Sequence, residues 1–98
     1  MKVRAVFSKT GDMRFISHLD LMRLFQRALR RAGLPVTISQ GFSPHLKISI
    51  ARALKLGTES DSEELTFNLS EAMTPDIIMQ SLNDNLPEGV RINQIKEF

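Results

Sequence analysis

His18 and His45 are the only histidines in a chain of 98 residues, and Asp20 stands two positions after the first. Two imidazoles facing one pocket could share general acid and general base work, as a metal-independent RNA endonuclease requires. Two histidines and one aspartate could also ligate a metal, but no further ligand spacing accompanies them, so no metal site is predicted. No nucleophile triad, glycine-rich phosphate loop or paired-carboxylate motif is present. The chain lacks cysteine. That removes disulfides, thiolate catalysis, thiolate zinc sites and a cysteine-ligated iron–sulfur cluster. No catalytic residue is assigned and no cofactor is expected. His18 and His45 are kept as the pair an endonuclease would use, against the plainer reading of His18 as a first-turn helix residue.

Arginine is the second source of chemistry. Arg23, Arg27, Arg30 and Arg31 recur at helical spacing, opposite a Leu/Phe stripe. Such a row is either a solvated helix face or a set of phosphate contacts, because the guanidinium fork matches phosphate oxygens. No lysine shares this helix and no glutamate is there to pair with the row.

The stretch GFSPHLKIS, residues 41–49, is the third. Gln40 and Gly41 permit a tight turn or a close backbone approach. Pro44 biases Ser43 toward an extended conformation. His45 and Lys47 would then flank the start of a strand on one side. The segment reads either as a connection whose Phe42 plugs the edge of the core, or as a binding loop. In the second case backbone amides, His45 and Lys47 would surround an anion or a base.

These residues must be positioned by a small set of elements. Residues 2–9 alternate, with Val3, Ala5 and Phe7 on one side, and predict a half-buried strand. Residues 10–13 predict a turn, after which Phe15 and Ile16 lead into Ser17. Ser17 with Asp20 three residues later resembles a capping box. Leu21, Leu24, Phe25, Ala28, Leu29 and Ala32 then predict a helix over 17–32, closed by Gly33 and Pro35. Residues 36–39 read as a short strand or extended piece, and 46–51 as a strand. A loop centred on 56–63 precedes a strand over 64–69, with Leu65, Phe67 and Leu69 on one face. Thr74-Pro75-Asp76 predicts a helix start. Ile77, Ile78 and Leu82 supply its buried stripe, and it ends near Asn85. Pro87-Glu88-Gly89 turns the chain into a last strand, 90–98. The order is β-α-β-β-α-β. With right-handed crossovers it predicts an α+β, ferredoxin-like sandwich, one antiparallel sheet with two helices on one face, as a single domain over 1–98. RNA-recognition domains use this fold with stacking aromatics on the sheet, but the chain has no Tyr or Trp and its six Phe do not form that motif.

Hydrophobic residues make up 42% and charged residues 24%, as in ordinary globular domains. No apolar run approaches the roughly 20 residues of a membrane span, and no signal-peptide pattern is present. No membrane association and a cytoplasmic location are expected. The net charge of +2 hides an asymmetry. Residues 1–55 hold eleven Lys/Arg against two acids, +9; residues 56–98 hold two against nine, −7. The split implies either a basic face for an anionic partner, RNA above all, or halves that neutralise each other once folded.

FSKTGDMRFISHLDLMRLFQRALRRAGLPVTISQGFSPHLKISIARAL, with Gly57 beyond it, resembles the N-terminal part of the radical-SAM-linked protein family. The resemblance rests on the R-F-I-S-H-L-D, R-A-L-R-R-A-G-L-P and S-Q-G-F-S-P-H runs and continues more loosely over 58–98. It implies a bacterial protein of undefined function, encoded beside or fused to radical-SAM proteins with a cobalamin-binding-type domain. It also implies a chain that usually continues for about as many residues again, and genes near those for ribosomal proteins and ribonucleases. The family supplies no catalytic residues to carry over. On the matching positions His18, Asp20, Gln40, Gly41, Phe42, Pro44, His45 and Lys47 are expected to form the functional surface. The expected function is a non-catalytic RNA- or anion-binding accessory module of a radical-SAM-associated modification system. One alternative is a domain that docks on the radical-SAM partner through the acidic half, Glu59, Asp61, Glu63 and Glu64 included. The other is the endonuclease using His18 and His45.

Overall fold

Strand β1, Lys2–Lys9, places Val3, Ala5, Phe7 and Lys9 on the buried side, a period-2 alternation that holds to its last residue. The structure is a computed structural model that describes residues 1–38 and 46–97. The sequence-predicted loop residues Gln40, Gly41, Phe42, Ser43, Pro44 and His45 lie outside the described residues. A short 3₁₀ helix, Gly11–Phe15, follows β1 where the sequence predicts a turn. Helix α1 then spans His18–Ala32. Strand β2 is Ile48–Ile50, β3 is Ser60–Asn68, helix α2 is Pro75–Asn83, and β4 is Val90–Glu97.

The four strands form one sheet in the order β2-β3-β1-β4, every pairing antiparallel. Together with the chain order this is the ferredoxin-like α+β arrangement that the sequence predicts. Both helices lie on one face. Leu21, Phe25, Ala28 and Leu29 of α1, with Ile78 and Leu82 of α2, join the inward residues of the strands in one core cluster. Phe7 and Phe25 meet edge to face, with centroids 4.9 Å apart at 69°, a geometry that suits the ring quadrupoles.

Several boundaries differ from expectation for local reasons. Residues 36–38 form no continuous strand; Val36 and Ile38 make single bridges to Leu69 and Leu46. The strand expected over 46–51 is ladder-paired only over Ile48–Ile50. β3 starts at Ser60, four residues before the predicted Glu64, because β1 is long enough to pair with Ser60 and Glu63 and satisfy their backbone groups. Ile77 is exposed rather than buried, so α2 packs through Ile78 and Leu82. α2 ends at Asn83, two residues early. Thr74 caps α2 by backbone geometry without a side-chain hydrogen bond, while Pro75 holds the first turn.

One turn needs glycine. Gly89 has φ +94°, and a Cβ there would stand 2.7 Å from the Thr10 carbonyl oxygen and 2.7 Å from Met13 Cγ. Its own carbonyl accepts from Thr10 N–H at 2.8 Å, so the two chain segments cannot move apart freely. Gly89→Ala is expected to cost about 2 kcal/mol of stability in urea denaturation.

Candidate nucleic-acid interface on α1

α1 begins and ends as its sequence directs. The Ser17 hydroxyl accepts from Asp20 N–H at 3.1 Å, which completes half of a capping box. Gly33 closes the helix in the left-handed region, φ +70°, and its N–H donates to the Arg30 carbonyl. Because Leu21, Phe25, Ala28 and Leu29 face the sheet, the intervening turns turn Asp20, Arg23, Arg27 and Arg30 to solvent. His18 is exposed at the first helical position.

A groove of about 580 Å³ runs along this face, lined by Ile16, Asp20, Arg23, Gln26, Arg27 and Arg30. Three of the four sequence-predicted arginines therefore share one surface feature. Arg31 is exposed but does not line it. Arg23 lies 3.4 Å from Asp20, and both side chains are mostly exposed, so the pair contributes little to stability. Among the described residues Arg27, Arg30 and Arg31 form no ion pair. The two halves of the charge asymmetry do meet, but on the sheet: Arg4 binds Glu64 at 2.9 Å and Arg52 binds Glu63 at 2.9 Å. Among the described residues the arginines of α1 other than Arg23 have no ion-pair partner.

Gln26 ties the groove to the residue that follows the predicted binding loop. Its Nε2 donates to the Leu46 carbonyl at 2.7 Å, and its Oε1 accepts from Leu46 N–H at 3.0 Å. Gln26→Ala removes both bonds to a buried segment and is expected to lower stability by about 2 kcal/mol and to speed hydrogen exchange at the Leu46 amide. Lys47 separates from the arginines. Ile48 and Ile50 pair with the buried Phe67 and Leu65, so Lys47 and Ser49 face the open side of the sheet, away from the helices. Phe7 and Phe67 point into the core, which leaves the open face without an aromatic among the described residues.

The sequence reading missed the group that fixes where α1 starts. Lys9 and Glu63 are both buried on the helix side of the sheet. Lys9 Nζ donates to the Ile16 carbonyl at 3.1 Å, one residue before the helix cap. Glu63 accepts two bonds from Arg52, at 3.0 and 2.9 Å, and one from the Ser60 hydroxyl at 2.7 Å. The Arg52 bonds, helped by Ser60 and by the nearby Lys9 charge, hold the Glu63 carboxyl below the usual carboxylate range against the opposing effect of burial. The same contact raises Arg52 further. The signal was phase: Lys9 continues Val3, Ala5 and Phe7, and Glu63 precedes Leu65 and Phe67, each two residues on. Two further acids of the half expected to dock have partners of their own: Glu64 holds Arg4 and Glu59 accepts from Gly11 N–H at 3.3 Å.

Among the described residues no cluster of His, Asp or Glu could hold a metal ion, and no helix is long and apolar enough to cross a membrane. No curated protein matches the chain. Residues 2–98 match a family described as "Uncharacterized protein conserved in bacteria (DUF2344)". The match takes in β1 through β4, the arginine groove and the buried Lys9–Glu63 network alike, and the chain belongs to this bacterial family.

Proposed function

We propose that this protein is a non-catalytic RNA-binding accessory module of a radical-SAM-associated modification system, with α1 as its phosphate-contacting surface. The observation that carries the reading is the groove in which Arg23, Arg27 and Arg30 converge, two of them without an ion-pair partner among the described residues. Three guanidinium groups on one rigid helix present planar donors to phosphate oxygens at little cost in ordering. The open sheet face, which RNA-recognition domains use, offers no aromatic among the described residues and directs attention to the helix. The link to a radical-SAM system rests on the resemblance of residues 7–57.

Fluorescence anisotropy with labelled tRNA and ribosomal RNA fragments, over a salt series, tests the reading. Binding that weakens steeply with salt is the expected result. No binding at low salt would sink it.

A further inference from the structure

We infer that the RNA taken by α1 is single-stranded, and that Phe15 stacks on one of its unpaired bases. This deepens the reading of α1 as a phosphate-binding surface and rests on it. Phe15 is 56% exposed, whereas Phe7, Phe25 and Phe67 are fully buried, so it is the one exposed aromatic among the described residues. It is not loosely held. The Arg14 guanidinium carbon lies 4.4 Å from the ring centroid, and Arg14 Nη1 donates to the Gly11 carbonyl at 2.9 Å. The Arg14 carbonyl in turn accepts from Gly57 N–H at 2.7 Å. Gly57 faces the ring edge: a Cβ there would be 3.9 Å from Phe15 Cε1. A cation is thus already stacked on a preoriented ring, the arrangement on which a base can add.

Position connects the ring to the arginines. Ile16, the next residue, lines the groove that Arg23, Arg27 and Arg30 continue along α1. Leu19, also exposed, lies one turn before Arg23 on α1. Stacking at one end and phosphate contacts along the helix is how single strands are bound without a sequence code. A duplex keeps its bases stacked internally and offers Phe15 nothing. Arg14 on the ring, and Arg23 and Arg27 in the groove that begins at Ile16, favour an anionic nucleic acid over an uncharged protein surface.

The chain has no Trp or Tyr, so Phe15→Trp introduces a single indole reporter. The probes are an RNA oligonucleotide of about 12 nucleotides and the same strand annealed as a blunt duplex. The single strand is expected to quench the indole emission saturably, and the duplex to leave it unchanged. Phe15→Ala is expected to weaken single-strand binding roughly tenfold without altering the salt slope, because no charge is removed. The 3₁₀ helix that carries Phe15 contains no buried residue, and circular dichroism checks that both variants fold. Binding by anisotropy without quenching, or equal quenching by strand and duplex, overturns the inference and leaves the arginine reading in place. Absence of any RNA binding overturns both.

Discussion

Glu63→Leu is expected to destabilise the protein by about 4 kcal/mol, the largest single effect on stability. The substitution removes the carboxylate charge that the buried Lys9 influences and takes from Arg52 its only ion-pair partner among the described residues. Lys9→Met should cost far less, because Glu63 keeps Arg52 and Ser60. The double variant should recover most of the loss, because it removes two buried charges of opposite sign together and strands neither. Urea denaturation of the three variants separates the cases. A double variant as unstable as Glu63→Leu alone would show that the stranded lysine is not the cause. The same group sets part of the acid sensitivity. Its carboxyl titrates lower in the folded chain than in the unfolded one, so its stabilisation is complete above the unfolded value of about 4.3 and fades as pH falls through the lower folded value. Glu63→Gln should therefore flatten the loss of stability below that pH.

Replacement of Arg23, Arg27 and Arg30 by alanine is expected to have the largest effect on binding. If each holds one phosphate of a single strand, the slope of log K against log salt becomes shallower by about 2. The gap between wild type and variant would then narrow by about 16-fold between roughly 50 and 200 mM salt. Folding should be little changed, since all three side chains are exposed and only Arg23 has an ion-pair partner among the described residues. Anisotropy at several salt concentrations reads both quantities. An unchanged slope would mean that phosphates are held elsewhere, and Lys47 with Ser49 on the open sheet face would be the next residues to alter.

One acid of the docking alternative, Glu63, leaves the surface for a physical reason. Acidic residues close in sequence to a predicted loop look solvated, yet β3 extends back through Ser60 and draws Glu63 inward and Glu64 against Arg4. The endonuclease alternative needs His45, which lies outside the described residues, so the His18–His45 distance has no part in the geometry of α1.

Element types and order followed from local patterning. Period-2 alternation in 2–9, the 3.6-residue stripe of 17–32, and the Ser17, Gly33 and Pro75 signals are short-range steric and hydrogen-bonding preferences, so they survive in any tertiary context. The arginine row was legible for the same reason: once the Leu/Phe stripe is buried, the opposite face has nowhere else to point. Lys9 and Glu63 were not placed, because a charge is buried only where the fold brings it partners, here the Ile16 carbonyl for Lys9 and Arg52 with Ser60 for Glu63. Lys47 was expected beside His45 in a binding loop, and the pairing of β2 with β3 turns it to the sheet face away from the arginines. The joining of Gln26 to Leu46, and of the Phe15 turn to Gly57, likewise depends on how segments pack. Charge and periodicity name the surface; long-range pairing decides which neighbours share it.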